Sequence, residues 1–163
     1  MKRERQTTVR WRTCPTAELE GADRELRAAA RKAAEGAYAV YSGYCVGAAV
    51  RLAGGAVVAG SNQENVAYPS GICAERAALW AAGAMHPGEA VEALALVAMS
   101  GGEEVDRVSP CGGCRQVMIE SEARGGRPMR VLLSGREETV ELASALDLMP
   151  LWAGAAPELE EKT

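Results

Sequence analysis

Residues 73–76 (CAER) and residues 110–116 (PCGGCRQ) decide how this chain of 163 residues is interpreted. Together the two segments supply three cysteines, which can bind a metal as thiolates, and one glutamate. A structural zinc site is normally closed by four protein ligands, whereas a catalytic zinc site uses three and leaves the fourth position to water. The three cysteines therefore predict a zinc site of the open, catalytic kind.

The spacing of these residues predicts that a helix begins in each segment. Cys111 and Cys114 are three residues apart, so both sulfurs can face one metal from the first helical turn, and Pro110 suits a helix start. Cys73 and Glu75 are only two residues apart and can face one site only if Cys73 caps its helix. The positive ends of two helix dipoles would then converge on the metal and favour thiolates.

The composition indicates one domain in a reducing compartment. A chain of this length can bury about two-thirds of its unfolded surface without disulfides, and its five cysteines are an odd number. The net charge of −4 disfavours a nucleic-acid partner. We find no segment of signal-peptide type and no apolar run of about eighteen residues. We therefore expect a soluble, cytoplasmic protein that binds neither nucleic acid nor a membrane.

The pattern of apolar and turn-forming residues predicts helices and strands between two charged tails. Residues 1–13 are basic and residues 157–163 mostly acidic, so both are expected to be flexible, solvated tails of a single domain spanning 1–163. Thr16 or Asp23 is expected to cap a first helix. The other predicted elements are strands over 45–53, 56–59, 91–99, 130–134 and 138–140, helices over 73–84 and 111–123, and a short helix over 142–148.

Three further features refine this prediction. The first helix is expected to bury a face formed by Leu26, Ala30, Ala33 and Ala37. A hairpin turn is expected at residues 54–55 (GG), and the strand over 91–99 is apolar enough to lie in the interior of a sheet. The order of elements predicts the α/β class, as a three-layer α/β/α sandwich with one mixed β-sheet, although the alternation alone leaves other α/β folds open.

Four ordered blocks of the sequence resemble the zinc-dependent cytidine deaminases in their small homotetrameric, three-cysteine form. Two blocks are the cysteine segments, and the others are residues 41–49 (YSGYCVGAA) and 60–72 (GSNQENVAYPSGI). The similarity extends from about residue 28 to residue 150. The resemblance implies one Zn²⁺ per chain, a homotetramer, and hydrolytic deamination of cytidine and 2'-deoxycytidine to uridine and 2'-deoxyuridine in pyrimidine salvage.

The resemblance also implies a role for each matching residue. Cys73, Cys111 and Cys114 would hold the zinc ion, Glu75 would carry protons in catalysis, and Arg76 would donate hydrogen bonds to the ligand sulfurs. Asn62 and Glu64 would hold the sugar hydroxyls. The remaining implied nucleoside contacts are Tyr44, the Ala74 backbone, the Ser109 carbonyl, and Val66 and Tyr68, which in tetrameric relatives reach a neighbouring subunit's site.

Ordinary structural interpretations stand beside these roles. The three cysteines could be buried thiols, Glu75 a solvated helix residue, and Asn62 and Glu64 turn-stabilising side chains. Tyr44 could be part of the core. The other cysteines, Cys14 and Cys45, are interpreted as small apolar fillers or tail residues and not as metal ligands, and His86 as part of a surface turn without a catalytic role.

Residues 148–153 (LMPLWA) depart from the pattern of the family. The family usually ends Leu-Leu-Pro-x-x-Phe, with the Phe stacked on the base in an adjacent subunit's site, but this chain contains no Phe. Trp152 lies one position early and is larger than Phe. We hypothesise that Trp152 supplies this stacking; the alternative is that Trp152 packs between subunits or in the core.

Two other functions remain open at this point. Within the same fold, the altered C-terminal aromatic keeps open a deaminase for a modified cytosine nucleoside such as blasticidin S. From a different class, the chain could be a non-catalytic binding module that zinc stabilises. A fourth protein ligand would favour that module, but the zinc segments contain no fourth Cys or His.

Overall fold

Seven strands form one sheet, flanked by three α-helices, in the computed structural model, which describes residue 4 and residues 6–152. The helices are α1 (Gly21–Glu35), α2 (Ala74–Met85) and α3 (Gly112–Gly125). The strands are β1 (Trp11–Pro15), β2 (Tyr44–Leu52), β3 (Val57–Ser61), β4 (Val91–Ser100), β5 (Glu103–Glu104), β6 (Arg130–Ser134) and β7 (Glu138–Leu142). Short 3-10 turns lie at Thr16–Glu18, Tyr68–Ser70 and Ala145–Leu148.

The strand order of the sheet is β1-β7-β6-β4-β2-β3, and β5 pairs with the end of β4. Only β4 and β6 run parallel; the other neighbours are antiparallel, so the sheet is mixed. Strand β4 lies in the interior of the sheet, and residues 93–98 are buried. Helices on both faces explain this nearly continuous apolar run, and the predicted interior strand is confirmed.

The helices form separate layers on the two faces of the sheet. Helix α1 buries Leu26 and Ala30 against small and aliphatic side chains of the central strands. Helices α2 and α3 cover the opposite face, where Leu79 and Met118 belong to the larger core cluster. The predicted α/β/α sandwich is therefore confirmed. Within the part of the chain that the structure describes, no helix has both the length and the apolar character needed to cross a membrane.

Two glycines let these helices approach the sheet closely. A Cβ atom on Gly47 in β2 would lie 2.0 Å from the Ala30 carbonyl oxygen of α1. A Cβ atom on Gly60 in β3 would lie 2.6 Å from the Ala78 nitrogen of α2. Neither backbone atom can move aside as the end of a flexible side chain can, so larger residues would push the helices away. Gly60 therefore helps to set the position of α2, which begins at the candidate site.

The N-terminal region requires a correction. Residues Trp11–Pro15 form the edge strand β1, paired antiparallel with β7, although residues 1–13 were predicted to be a tail. Among its residues only Cys14 is partly buried, so the strand lacks the apolar alternation that would reveal it in the sequence. Its backbone pairing with β7 positions it instead. The predicted acidic tail, residues 157–163, lies outside the described residues.

Helix α1 also starts differently from the prediction. Its N-cap is Glu20, without a side-chain capping bond, so neither Thr16 nor Asp23 caps it. The Thr16 hydroxyl instead donates to the Gly135 carbonyl oxygen at 3.0 Å, across the sheet. The helix ends at Glu35, and its buried face consists of Leu26, Ala30 and Ala34 rather than the set that includes Ala33 and Ala37. The helix predicted over 142–148 is the shorter 3-10 turn Ala145–Leu148.

Candidate active site

The N-termini of α2 and α3 meet at one edge of the sheet. Cys73 is the N-cap of α2 and Cys111 is the N-cap of α3, both with extended backbone angles. The predicted capping position of Cys73 is therefore confirmed, and it allows Cys73 and Glu75 to face the same side. Unpaired N–H groups at both helix starts create a positive electrostatic environment for thiolates.

Cys73, Cys111 and Cys114, which we call the cysteine cluster, have sulfur atoms that all lie within 4.8 Å of one another. The Cys73 and Cys111 sulfurs are 3.9 Å apart. With zinc–sulfur bonds of about 2.3 Å, two sulfurs at corners of a tetrahedron lie about 3.8 Å apart. The cluster therefore fits one zinc ion, and no fourth Cys, His, Asp or Glu joins the group among residue 4 and residues 6–152.

The surroundings of the cluster favour a thiolate at Cys73. A hydrogen bond from the Cys114 thiol is the main cause that lowers the pKa of Cys73 to about 5, and Arg76 lowers it further. The pKa of the buried Cys114 thiol is raised, chiefly because Cys114 donates that hydrogen bond to the Cys73 sulfur. A thiolate at Cys73 with two more sulfurs beside it is a donor set that a divalent cation can occupy, because metal binding displaces the protons of the other thiols.

Glu75 is a buried carboxyl group directly beside the cysteine cluster. Only 3% of Glu75 is exposed, although it lies in the first turn of α2. Burial raises the pKa of Glu75, and the negative charge of Cys73 raises it further. A raised pKa suits a general acid–base group, which must both accept and release a proton during a reaction. The burial also excludes the alternative that Glu75 is a solvated helix residue.

Arg76 connects the cluster to the outer face of α2. Its Nη2 donates a hydrogen bond to the Cys73 sulfur at 3.6 Å, as the resemblance implied. Its guanidinium lies 5.9 Å from the centre of the Trp80 ring, within the range of a cation–π contact. Arg76 thus brings positive charge to the cluster and is held in place by an aromatic ring.

Residues 62–72, which we call the approach loop, lead directly into Cys73. Gln63 and Ile72 exchange backbone hydrogen bonds of 2.9 and 3.0 Å, which close the loop at its base. Asn62 uses both ends of its amide at this point: Oδ1 accepts from the Val46 nitrogen at 2.7 Å, and Nδ2 donates to the Tyr44 carbonyl oxygen at 2.9 Å. Asn62 therefore ties the approach loop to β2 in this chain.

The Glu64 carboxylate also has hydrogen-bond partners within the chain. Its carboxylate accepts hydrogen bonds from the Tyr41 nitrogen at 2.8 Å, and from the Ser42 nitrogen and hydroxyl at 3.3 and 2.5 Å. These bonds lower the pKa of Glu64, the Ser42 hydroxyl most of all. Ser42 and Tyr41 received no role from the sequence. Their position in the motif of residues 41–49 was the available signal.

A cavity of about 280 Å³ lies between the approach loop and the start of α2. Its lining brings together Asn62, Glu64, Tyr68, Cys73 and Arg76 from the predicted site, and adds residues such as Tyr41. Its size is close to the lower end of small-molecule sites. The other predicted contacts do not line this cavity; they are Tyr44, Val66, Ala74, Ser109 and Trp152.

Tyr44 and Ala74 nevertheless lie near the cysteine cluster. Tyr44 is 37% exposed, and the pKa of its phenol is raised by burial and by the charge of Glu75, which places it in the field of that carboxylate. Its exposure also argues against an ordinary core role. Ala74 is fully buried at the start of α2.

Arg115 is a structural residue of the site for which the sequence analysis predicted no role. Its guanidinium donates to the Pro110 carbonyl oxygen, the Ser109 hydroxyl and the Leu148 carbonyl oxygen, each at 3.0 Å. Arg115 therefore holds the segment before Cys111 against the C-terminal turn. The signal was its position directly after Cys114 in the second zinc segment.

Trp152 is partly buried and packs against the larger core cluster of its own chain. This contact matches the alternative in which Trp152 has a structural role. Its contribution to a neighbouring subunit's site stays a prediction. Residue 153, at the position of the family's aromatic, lies outside the described residues.

Comparisons with known proteins agree with this geometry. The model of the "cytidine and deoxycytidylate deaminase zinc-binding region" matches residues 21–125. The chain is 44% identical over 95 residues to the cytidine deaminase of Mycobacterium tuberculosis, covering 58% of this chain and 68% of that protein. It is 39% identical over 127 residues to the cytidine deaminase of Sporosarcina psychrophila, covering 77% and 87%.

A solved structure shows the same fold. The crystal structure of cytidine deaminase from Burkholderia pseudomallei matches with a TM-score of 0.69 and 39% identity, over 82% of this chain and 100% of that one. The chain belongs to the zinc-binding cytidine and deoxycytidylate deaminase family. The cysteine cluster is the group that fits the zinc ion of this family.

Proposed function

We propose that this protein catalyses the hydrolytic deamination of cytidine and 2'-deoxycytidine to uridine and 2'-deoxyuridine, with release of ammonia. The buried Glu75 beside a three-sulfur cluster carries this proposal, because three ligands leave one position of a zinc ion for water. The relatives named above are cytidine deaminases, which supports the same substrate class.

Glu75 moves the protons in the proposed reaction. A zinc ion held by the cysteine cluster would supply the Lewis acidity that turns water into a nucleophile near neutral pH. Glu75 takes a proton from the attacking water and delivers it to ring nitrogen N3, which makes the adjacent C4 electrophilic. The water oxygen bonds to C4, and Glu75 passes the second proton to the amino group. The C4–N bond then breaks, so cytidine and water give uridine and ammonia.

Arg76 and the helix N-termini adjust the metal site in this proposal. Three thiolates donate more charge than imidazoles and make a zinc ion a weaker Lewis acid. The hydrogen bond from Arg76 to the Cys73 sulfur withdraws part of that charge. The helix starts at Cys73 and Cys111 act in the same direction.

The nucleoside contacts are proposed from the matched positions. Asn62 and Glu64 hold the sugar hydroxyls, and the 280 Å³ cavity beside Cys73 supports their proximity to the reacting centre. Both side chains already have partners within the chain, so the sugar would exchange with the Tyr41–Ser42 contacts of Glu64 or share its carboxylate. The other proposed contacts are Tyr44, the Ala74 backbone, the Ser109 carbonyl, Val66, Tyr68 and Trp152.

We also propose a homotetramer formed by a single-domain chain. All described strands belong to one sheet, which supports one domain. Val66 and Tyr68 are 83% and 84% exposed at the tip of the approach loop, where a second copy could cover them. Light scattering should give four chains per particle, and Val66→Ser with Tyr68→Ser should lower this number. Monomers for the wild type would contradict the assembly.

We place the protein in the cytoplasm, in pyrimidine salvage. All five cysteines are free, and a zinc site of thiolates needs a reducing environment. Fractionation of the native host should recover the chain with cytoplasmic markers. Loss of growth on cytidine as the pyrimidine source, after deletion of the gene, would test the salvage role.

One observation favours testing a modified cytosine nucleoside as a second candidate substrate. Residues 148–153 lack the family's Phe, and the Trp152 ring packs on its own core, so base stacking differs from the usual pattern. Ammonia release should therefore be compared for cytidine, deoxycytidine, cytosine and blasticidin S, with Glu75→Gln as the inactive control. Faster release from blasticidin S would replace the proposed substrate. No release from any of them, with zinc bound, would favour a non-catalytic zinc-stabilised binding module.

A further inference from the structure

A second cavity, of about 1020 Å³, lies at the other end of the sheet from the cysteine cluster. Five arginines line it: Arg10, Arg12, Arg51, Arg127 and Arg130. The register places Arg51 and Arg130 on either side of Ala93, near the starts of β4 and β6. The cysteine cluster lies toward the opposite end, where Ser100 of β4 pairs with Tyr44. We call this second cavity the arginine cavity.

The arginine cavity arises because β1 and β7 extend the sheet beyond the helix that covers this face. Arg12 lies directly opposite Glu141, which in turn lies opposite Leu132. Directly opposed side chains share a face, and so do residues two apart on a strand, which puts Arg12 on the same face as Arg130. Helix α1 packs mainly across β2, β3 and β4, so the β7 and β1 side stays open.

The acidic groups around the cavity neutralise only part of its charge. Arg127 pairs with Glu92 at 3.0 Å. Arg130 pairs with Asp23 at 2.7 Å and with Glu141 at 2.8 Å. These carboxylates already have arginine partners.

The other arginines retain unused donors. Among the residues that the structure describes, the ion pairs of Arg51 are long, 3.5 Å to Asp23 and 3.9 Å to Glu92, and its buried Nη1 has no hydrogen-bond partner. Within residue 4 and residues 6–152, neither Arg10 nor Arg12 has an ion-pair partner. A buried donor without an acceptor is unfavourable, and an anion in the cavity would satisfy it.

The geometry points to a binding site for a polyphosphate anion, either free or as the phosphate chain of a nucleotide. Guanidinium groups bind phosphate oxygens through paired N–H donors. Arg12 of β1 and Arg130 of β6 lie on either side of β7, and a cavity of about 1020 Å³ lined by five arginines has the room and the positive charge for a chain of linked phosphates. We propose this as a site separate from the deaminase centre. The family match begins at residue 21, so Arg10 and Arg12 lie outside it.

Calorimetry on the full-length protein tests this proposal with tripolyphosphate, which has no base or sugar for the nucleoside site. ATP tests the nucleotide as the source of the phosphates, and adenosine serves as the phosphate-free control. The double variant Arg10→Gln/Arg12→Gln removes the two unpaired arginines. The matched control is Arg107→Gln/Arg124→Gln, which removes two exposed arginines that do not line the cavity.

We expect tripolyphosphate to bind, the cavity double variant to weaken its binding at least tenfold, and the control double variant to change it less than twofold. Equal affinities for tripolyphosphate and ATP would assign recognition to the phosphates alone, and tighter ATP binding would assign it to a nucleotide. Both double variants should keep wild-type melting temperatures and cytidine turnover. Absence of tripolyphosphate binding, or equal weakening in both double variants, would overturn the proposal.

Discussion

The cysteine cluster and the approach loop adjoin each other at Cys73, but they differ in how much of each is buried within one chain. The three sulfurs lie within 4.8 Å of one another, and Glu75 is almost fully buried beside them. The approach loop has a closed base but leaves the Val66 and Tyr68 side chains more than 80% exposed. The proposed reacting centre is thus largely assembled in a single chain, whereas the proposed substrate-recognition surface is exposed to solvent.

This difference has a physical origin. The sulfurs and Glu75 are positioned by the first turns of two helices, whose buried aliphatic side chains belong to the larger core cluster. The approach loop is tied to residues outside it by Asn62 and Glu64 at its base, whereas the hydrogen bonds at its exposed tip are local, such as the one from the Ala67 nitrogen to Asn65 Oδ1 at 2.8 Å. Substitutions in the cluster should therefore act on the metal and on turnover, and substitutions in the surrounding contacts should act on substrate binding.

The largest effect is expected from Cys114→Ala, which removes the fully buried sulfur of the cluster. Zinc content should fall from about one ion per chain to near zero, and cytidine turnover should be lost, because two thiolates hold zinc far less tightly than three. Metal analysis and ammonia release measure the two outcomes. Cys14→Ala is the control and should keep both. Full zinc content in Cys114→Ala would show that the cluster is not the metal site.

The next effect is that of Glu75→Gln, which preserves the shape of the side chain but removes its proton-carrying role. The turnover rate should fall at least about a hundredfold, the lower end of general acid–base effects, while zinc content and substrate binding persist. Glu120→Gln changes an exposed glutamate on α3 and should leave turnover unchanged. Near-normal turnover in Glu75→Gln would remove Glu75 from the mechanism.

Trp152→Ala tests whether the Trp152 ring stacks on the substrate base or only packs against the core of its own chain. If the ring stacks on the base of a neighbouring subunit's substrate, cytidine binding should weaken by about 1–3 kcal/mol, with the tetramer intact. If the ring acts only through the core against which it packs, the melting temperature should fall and the affinity for cytidine should persist. Steady-state kinetics, sizing and thermal melting separate these results. Unchanged kinetics would end the stacking hypothesis.

The smallest expected effect is an acid titration in the approach loop. The Ser42 hydroxyl and the Tyr41 nitrogen hold the pKa of Glu64 below its usual 4.5. The carboxylate contacts therefore stabilise the fold fully above that value, and this stabilisation is lost as the pH falls through the lower folded pKa. NMR titration of the Glu64 carboxyl should show a midpoint below 4.5, and Ser42→Ala should raise it. A wild-type midpoint at 4.5 would mean that these hydrogen bonds do not persist in solution.

The metal centre and the central helices and strands could be predicted from local spacing in the chain. Each metal-binding segment depends on residues within one helical turn of each other. Cys111 and Cys114 are three residues apart and follow a proline, and Cys73 caps the helix that contains Glu75. The apolar run over 91–99 likewise predicted an interior strand, because both faces of β4 are covered.

Features that depend on residues far apart in the chain could not be predicted in this way and became visible in the folded structure. Strand β1 exists because its backbone pairs with β7, more than a hundred residues away. Its mostly exposed side chains do not show the apolar alternation from which a strand can be predicted. Thr16 bonds across the sheet instead of capping α1. The arginine cavity follows from the same long-range register, since Arg12 approaches Arg130 only when β1 and β6 flank β7. Local spacing sets a helix turn, but the pairing of distant strands depends on the whole core.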